Sequence, residues 1–226
     1  MDWSEVLAKD PIYLNLGGSL NCHPKAGYEH YISVDIQPPR EGWAVQHDLK
    51  NPIPLPDNSV TRILSEDFLE HITVEEIRAL LRECFRLLKP GGMMRIGVPD
   101  YGNPKDYPYL LKGSDPRFPR HVTLTHYQLM KRLIEESPFT RCEFYHYWDN
   151  GKFVYKEIDY SLGMVKRTPD NDPRCRITGL RQKMQVAFQD WMYRLRRGFR
   201  VSEEELSTRP GHRLYVTSLV VDLFKD

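Results

Sequence analysis

The sequence lacks a long hydrophobic run. Its longest apolar stretch lies near Leu214–Val221, covers eight residues and includes Thr217 and Ser218, which is too short to span a bilayer. The first ten residues carry Asp2 and Glu5 and contain no apolar stretch, unlike a secretory signal peptide. We therefore expect a cytoplasmic protein without a membrane span.

Cysteine is also scarce, and the residues present are far apart. The four cysteines are Cys22, Cys84, Cys142 and Cys175. No two of them have Cys-x-x-Cys spacing, so the usual zinc signatures are missing and no metal site is expected. An even number would permit two disulfides, but without a secretory signal we favour free thiols in a reducing compartment.

A large net charge is missing too, since the formal net charge is +1 at pH 7. The charges are nevertheless unevenly distributed. Residues 166–200 contain ten lysines and arginines against three aspartates, which leaves the rest of the chain acidic. A local basic segment on a nearly neutral protein predicts an anionic ligand or surface rather than general nucleic-acid binding.

The composition that remains is that of an ordinary globular domain. Hydrophobic residues make up 40% of the 226, which is enough for a sizeable core, and the length favours one domain. We expect a single domain over residues 1–226, with a core of about 10–147 and 214–226 and an insert of about 148–213.

Strand and helix patterns alternate through the first two-thirds of the chain. Short apolar segments predict strands at 12–16, 31–36, 43–46, 60–65 and 93–98. Later strands are predicted at 142–147 and 215–224, and helices at 4–9 and 124–136. Strands joined by crossovers are typical of a parallel sheet covered by helices. The predicted fold is α/β, a Rossmann-like and mostly parallel sheet of seven strands with helices on both faces.

The best-defined element is a helix predicted over Thr73–Lys89. Thr73 and Glu76 have the spacing of a capping box, in which each residue bonds to the backbone of the other. Apolar residues recur at helical spacing after them and predict a broad buried face. Pro90-Gly91-Gly92 is expected to end the helix sharply.

The residues that follow each strand are of most interest, because ligands of parallel α/β sheets bind at the carboxyl ends of the strands. Gly17–Ser19 could bring the backbone close to a ligand or simply form a tight turn. Asp35 lies 18 residues beyond Gly17, where a carboxylate accepts both hydroxyls of a ribose or caps a turn. Asp48 could accept from an adenine amino group or hold a turn. Together they predict a nucleoside site.

These segments resemble the class I S-adenosylmethionine-dependent methyltransferases, most closely the type 11 methyltransferase domain. The resemblance is carried by Leu14–Ser19, Val34–Ile36, His47–Leu49, Ile53–Val60, Ser65–Ile72 and Leu81–Gly92. The last of these contains Leu-Lys-Pro-Gly-Gly between a helix and a strand, which is the most specific motif. The resemblance covers about residues 10–100 and, more loosely, 121–146 and 214–225.

The resemblance implies S-adenosylmethionine as the cofactor. The cofactor-binding residues that it implies are Leu16, Gly17, Gly18, Ser19, Asp35, Ile36, Asp48, Leu49, Ser65 and Glu66. Gly17–Ser19 would take the methionine end and Asp35 the ribose hydroxyls. Asp48 and Leu49 would take the adenine. Ser65-Glu66 would form the floor near the sulfonium.

Two features depart from the family's pattern. The first motif of the family commonly reads Asp/Glu-x-Gly-x-Gly, whereas this chain has Asn15 in place of the acid and Gly-Gly-Ser in place of Gly-x-Gly. The interval between Gly17 and Tyr31 is also short and contains Pro24 and Gly27. We therefore expect the first helix of the fold to be shortened or missing.

Methyl transfer itself requires mainly that nucleophile, methyl carbon and sulfur are held in line without water. Where the acceptor carries a proton, a general base helps. The candidates near the strand ends are Glu66, His71, Asp100, Tyr101 and His121. His71 could equally cap a helix and Asp100 could hold a turn. His121 is favoured because its loop follows the fifth strand.

Residues 180–197 of the insert combine an apolar stripe with several arginines. A helix packed on the domain with a solvated basic face would explain this pattern. The alternatives are a lid over the acceptor site, or a surface that binds a partner or a membrane. In the lid interpretation, Arg194 and Arg197 contact an anionic substrate.

The predicted function is methyl transfer to an undetermined acceptor, which the basic segment suggests is anionic. We expect a small molecule or a glycan, with nucleic acid as an open alternative. A second interpretation is a nicotinamide-dependent oxidoreductase, although residues 17–22 read Gly-Gly-Ser-Leu-Asn-Cys and not Gly-x-Gly-x-x-Gly. A third is a nucleoside-binding or interaction protein without catalytic activity.

Overall fold

The computed structural model describes residues 1–18, 30–38, 43–104, 106–107, 110, 113–156, 158, 180–199 and 218–226. Its helices are α1 (Trp3–Leu7), α2 (Val74–Leu87), α3 (Tyr127–Glu135) and α4 (Leu180–Arg196). Its strands are β1 (Tyr13–Leu16), β2 (Ile32–Asp35), β3 (Ala44–Gln46), β4 (Val60–Glu66), β5 (Leu88–Pro99), β6 (Arg141–Asp149), β7 (Lys152–Tyr155) and β8 (Ser218–Phe224). A short 3-10 helix at Leu69–His71 follows β4.

The strands form one mixed sheet in the order β3-β2-β1-β4-β5-β8-β6-β7. The five strands from β3 to β5 are parallel to their neighbours. The last three are antiparallel, with β8 paired to both β5 and β6. Central strands of this kind need apolar side chains on both faces, and Leu14, Ile63 and Ile96 are fully buried. The predicted α/β class is confirmed.

The prediction of seven strands was wrong, because the described residues contain eight. The additional strand, β7, forms a hairpin with β6 in which Asp149 pairs with Lys152. Asn150 and Gly151 form the turn with φ values of 48° and 75°. Asn-Gly is the preferred sequence for a two-residue hairpin turn of this handedness. The signal was therefore present in a segment that had been assigned to the insert.

Helix α2 has the predicted start but an earlier end. The Thr73 backbone N–H donates to Glu76 Oε2 at 2.8 Å, and the Glu76 N–H donates to Thr73 Oγ1 at 3.3 Å, which confirms the capping box. The helix ends at Leu87 rather than Lys89. A proline disfavours helical backbone in the residue before it, and Pro90 places that restriction on Lys89. The last helical carbonyls accept instead from the N–H groups of residues 58 and 59.

A buried ion pair joins the parallel half of the sheet to the antiparallel half. Arg95 of β5 and Asp222 of β8 are register partners and are 2% and 0% exposed. Arg95 Nε and Nη2 donate to the two oxygens of Asp222, both at 2.7 Å. A guanidinium can reach both carboxylate oxygens at once, which fixes the two strands in register.

The chain divides into two compact units, residues 1–166 with 218–226, and residues 167–217. Helix α4 is the described part of the second. The predicted shortening of the first helix concerns residues that lie outside the described ones. Cys84 is a buried free thiol and Cys142 an exposed one. Among the helices that the structure describes, none is long and apolar enough to cross a membrane.

Candidate active site

A cavity lies at the carboxyl ends of the parallel strands. Its volume is about 170 Å³ and it opens to solvent. The lining residues come from the ends of β1, β2 and β3, from the segment between β4 and α2, and from the first turn of α2. They are Gly17, Asp35, Ile36, Asp48, Leu49, Lys50, Phe68, His71, Ile72 and Glu76. This is the edge of the sheet at which the sequence predicted a nucleoside site.

Half of the residues predicted to bind the cofactor line this cavity. These are Gly17, Asp35, Ile36, Asp48 and Leu49. Leu16, Gly18, Ser65 and Glu66 are buried at the ends of β1 and β4 and are not among the lining residues. Ser19 lies outside the described residues. The binding roles of the whole set stay predictions.

Gly17 closes the end of β1 against Phe68. Its φ is +75°, and a Cβ atom built on it would lie 2.4 Å from Phe68 Cδ2. Its N–H donates to the carbonyl of Val34 at 2.9 Å, which ties the turn to the neighbouring strand. Only glycine fits a backbone with this φ and this close approach. The glycine is therefore required by the turn itself, whatever the ligand.

Asp35 and Asp48 each bond to their own turn while lining the cavity. Asp35 Oδ1 accepts from the N–H of Gln37 at 2.8 Å, and Asp48 Oδ1 accepts from the N–H of Lys50 at 3.0 Å. One oxygen of each carboxylate therefore caps a turn, and the roles toward ribose and adenine stay predictions. The strands also connect the two turns, since the His47 N–H donates to the Asp35 carbonyl at 2.8 Å.

Sequence reasoning missed an ion pair on the rim of the cavity. Lys50 Nζ lies 2.8 Å from Glu76 Oε1. This hydrogen bond is the main cause that raises the pKa of Lys50, and it lowers the pKa of Glu76. The capping-box spacing predicts only the contact of Glu76 with Thr73. The ion pair with Lys50 is a second contact, which joins the turn after β3 to the start of α2.

Three of the five candidate catalytic residues come together beside the cavity. The Tyr101 hydroxyl lies 2.5 Å from His121 Nδ1, and the rings of His71 and His121 lie 5.0 Å apart in an edge-to-face arrangement. His71 is the member of the three that lines the cavity. Burial, and then the nearby His71, lower the pKa of His121 to about 4, so its imidazole is neutral at pH 7.

The other two candidates lie elsewhere. Glu66 is buried at the end of β4. Asp100 is 1% exposed, and its oxygens accept from the backbone N–H groups of Gly102 at 2.9 Å and Trp148 at 2.6 Å. Burial raises the pKa of Asp100 to about 7. These contacts are those of a residue that holds a turn, as the sequence analysis allowed for Asp100.

A buried charge cluster supports the loop that carries His121. Arg117 Nη2 donates to Asp106 Oδ1 at 2.9 Å and to Asp115 Oδ2 at 2.6 Å. Burial alone would raise the pKa of Asp115, but the hydrogen bonds from Arg117 outweigh it and the pKa is lowered. Phe118 then stacks on His121 with ring centroids 5.0 Å apart. No local pattern signals this cluster, because its members are ordinary residues of a polar loop.

A second set of contacts fixes the same loop to the segment after β4. The Thr123 N–H donates to the Glu70 carbonyl at 3.0 Å, and Thr123 Oγ1 donates to the Ile72 carbonyl at 2.6 Å. His71 Nδ1 lies 3.0 Å from the carbonyl oxygen of Arg120. Residues 70–72 and 120–123 are therefore held side by side, which explains why histidines 50 positions apart meet.

Of the two arginines proposed to contact the substrate, Arg194 lies on α4 and Arg197 directly follows it, both in the second compact unit. Arg194 is half-buried and Arg197 is exposed. Their role toward an acceptor stays a prediction.

The fold is shared with solved methyltransferase structures. A S-adenosylmethionine-dependent methyltransferase from Archaeoglobus fulgidus is 15% identical, with a TM-score of 0.55 over 98% of this chain and 89% of that one. Phosphoethanolamine N-methyltransferase 2 of Haemonchus contortus, bound to phosphomonomethylethanolamine and S-adenosylhomocysteine, is 13% identical with a TM-score of 0.50. This alignment covers 98% of this chain but only 52% of the Haemonchus enzyme, so this chain spans about half of its length.

A third similar structure is geranyl diphosphate C-methyltransferase from Streptomyces coelicolor, bound to Mg²⁺, geranyl diphosphate and S-adenosylhomocysteine. It is 10% identical with a TM-score of 0.53, over 99% of this chain and 76% of that one. No curated protein matches the chain. At these identities the likeness is one of fold.

The class of protein follows from the fold together with the sequence of its first half. The architecture is that of the class I S-adenosylmethionine-dependent methyltransferases. Residues 17–96 match the model of the methyltransferase domain family and include every residue that lines the cavity. The chain is an S-adenosylmethionine-dependent methyltransferase, and the nicotinamide interpretation is not supported.

Proposed function

We propose that the cavity at the carboxyl ends of β1, β2 and β3 binds S-adenosylmethionine. In this proposal Gly17 faces the methionine end, Asp35 accepts from the ribose hydroxyls, and Asp48 with Leu49 contacts the adenine. The observation that carries it is that these residues, which follow three successive strands, line one cavity. A nucleoside needs this combination of a close backbone approach and a carboxylate for the ribose.

We further propose that the acceptor binds at the His71 end of this cavity. The cofactor supplies the methyl group on a positively charged sulfur. The protein must hold the acceptor atom in line with the methyl carbon and the sulfur, and it must exclude water. His71, His121 and Tyr101 are the polar side chains that adjoin this end. They suit an acceptor with an oxygen or nitrogen atom that gives up a proton.

The proposed acceptor is a small molecule that carries negative charge. Support comes from the ten basic residues within 166–200, since a local basic segment attracts anions. The Haemonchus and Streptomyces enzymes of the same fold are bound to a phosphate ester and a diphosphate. Screening of anionic candidate substrates would identify the acceptor and the oxygen or nitrogen atom that receives the methyl group.

The cofactor proposal is tested by measuring S-adenosylhomocysteine affinity in variants of Asp35. A carboxylate with two charge-assisted hydrogen bonds contributes roughly 2–4 kcal/mol, so Asp35→Ala should weaken binding about 100-fold. Asp35→Asn keeps one oxygen that can accept from Gln37 but loses the charge and replaces the other oxygen by an NH₂ donor, and we expect a smaller loss of affinity. Calorimetric titration gives both affinities.

Two controls separate binding from folding. Asp10→Ala removes an exposed carboxylate paired with Lys89 and should leave the affinity unchanged. The melting temperature of each variant without ligand shows whether the turn is intact. Wild-type affinity in Asp35→Ala would contradict the proposal. If Asp35→Ala unfolds while Asp35→Asn binds normally, Asp35 acts only as the cap of its turn.

A further inference from the structure

We propose that Glu70, His71 and His121 form a binding site for a divalent transition-metal cation. One potential ligand atom from each of the three lies within 4.8 Å of the others. Two imidazoles and a carboxylate are a common donor set for Zn²⁺ and for Fe²⁺ and similar ions, and they leave coordination positions open. The absence of Cys-x-x-Cys spacing argued against a metal site, and two histidines 50 residues apart form no local metal-binding pattern.

The hydrogen bonds around His71 orient it as a ligand. Its Nδ1 lies 3.0 Å from the Arg120 carbonyl oxygen. A carbonyl can only accept, so Nδ1 carries the proton and Nε2 carries the lone pair. Nε2 is also the atom that faces Glu70, at 4.0 Å from Oε1. Metal-binding histidines characteristically donate their second N–H to a backbone carbonyl in this way.

A hydrogen-bond partner also orients His121 as a ligand. The Tyr101 hydroxyl oxygen lies 2.5 Å from His121 Nδ1. A phenol oxygen can accept as well as donate, so Nδ1 can hold its proton toward Tyr101. In that tautomer Nε2 carries the lone pair and is the nitrogen open to a metal. Tyr101 thus supports His121 in the way that hydrogen-bond partners orient metal-binding histidines.

Glu70 supplies the negative charge at the site. Its carboxylate is 1% exposed and would balance part of the charge of a cation bound between it and the two imidazoles. The backbone on either side is fixed, since Thr123 bonds to the carbonyls of Glu70 and Ile72. Ligand atoms around one small cation lie about 3 Å apart, given metal–ligand distances of about 2.0–2.2 Å. Side-chain rotations of Glu70 and His71 would shorten the present separations of up to 4.8 Å between the ligand atoms to this distance.

The position of this site connects it to the reaction. His71 belongs both to the proposed ligand set and to the wall of the cavity, so the open coordination positions would adjoin the acceptor. The inference rests on the proposed function only in this respect: we infer that an oxygen of the acceptor is the ligand that completes the coordination. A cation bound to that oxygen would lower its pKa and hold it for methylation.

The test is a titration of the full chain, freed of any affinity tag and of metal, with Zn²⁺ and separately with Co²⁺. We expect one equivalent to bind with an increase in melting temperature, and the visible absorption of bound Co²⁺ to report nitrogen and oxygen ligands. His71→Ala and His121→Ala should each weaken binding at least 100-fold. Tyr101→Phe, which removes only the support for His121, should weaken it about 10-fold.

His30→Ala is the matched control, since His30 is exposed and lies outside the cluster. It should bind the metal like the wild type. S-adenosylhomocysteine titrations of wild type and His121→Ala keep this inference separate from the cofactor proposal, because both proteins should bind that ligand equally. The inference is overturned if the wild type binds no stoichiometric Zn²⁺ or Co²⁺, or if binding survives both histidine substitutions.

Discussion

At the scale of single residues, three acidic side chains that line the cavity also make structural contacts. Asp35 accepts from the N–H of Gln37, and Asp48 from the N–H of Lys50. Glu76 completes the capping box of α2 and also pairs with Lys50. Residues at strand ends must satisfy the backbone of the turns they begin. Variants that keep a hydrogen-bond acceptor are therefore more informative than alanine at these positions.

Asp100 provides a test of the electrostatics of the buried turn after β5. Its pKa of about 7 in the folded protein lies above its ordinary value near 4. Between these two pH values the folded state retains a proton that the unfolded state releases. The free energy of unfolding therefore contains a contribution from Asp100 that is complete below pH 4 and is lost as the pH rises through 7, by up to about 1.4 kcal/mol per pH unit.

We expect Asp100→Asn to remove this contribution from the pH dependence. Urea unfolding of wild type and variant between pH 4 and 8 measures it, and the difference between the two curves cancels the other titrating groups. The variant should also be less stable, because one of the two N–H groups of Gly102 and Trp148 then faces an amide NH₂. Parallel curves between pH 4 and 7 would show that Asp100 has an ordinary pKa.

At the scale of secondary structure, the pairing of β5 with β8 contains a buried charge pair. Arg95 and Asp222 are both almost fully buried, and the ring of Tyr145 lies 5.6 Å from the Arg95 guanidinium carbon. Removal of one partner leaves the other charge buried without its counterion, which costs more than the pair contributes when intact. This contact decides the pairing of the last strand.

Asp222→Ala should lower the free energy of unfolding by about 3–5 kcal/mol. The double variant Arg95→Met with Asp222→Leu should lose less than the sum of the losses for Arg95→Met and Asp222→Leu alone, because no isolated charge remains. Denaturant unfolding of the wild type and these three variants completes the cycle, and Asp222→Ala is measured beside them. Additive losses, or a loss below about 1 kcal/mol for Asp222→Ala, would mean that water already reaches the pair.

The elements that the sequence predicted well are those specified by neighbouring residues. The capping box of Thr73 and Glu76, the buried face of α2 and the turn residues after β1, β2 and β3 all depend on local spacing. The end of α2 was placed two residues late because the carbonyls at its end are satisfied by residues 58 and 59, a contact the local pattern does not contain. The β6–β7 hairpin was missed although Asn150-Gly151 signals it.

The remaining features depend on contacts between distant parts of the chain. His71 and His121 meet because Thr123 bonds to the carbonyls of residues 70 and 72. Neither histidine stands in a pattern that predicts this pairing. The support from Asp115, Arg117 and Tyr101 is likewise formed only after the loop folds. Sequence spacing could therefore name His71, Tyr101 and His121 as separate candidates but could not show that they form one cluster.

At the scale of the whole molecule, the two sides of the reaction differ in how far the sequence reveals them. The cavity residues to which we assign the cofactor lie within residues 17–96, which match the model of the methyltransferase domain family. His121 and the basic segment 166–200, to which we assign the acceptor, lie after that segment. The family match therefore supports cofactor use but does not extend to these residues proposed for the acceptor.

The most direct test of the central claim is a calorimetric titration of the full chain with S-adenosylhomocysteine and, separately, with NAD. The cavity at the ends of β1, β2 and β3 should bind one S-adenosylhomocysteine per chain and no NAD. Binding of NAD, with no heat from S-adenosylhomocysteine at millimolar concentration, would contradict the account.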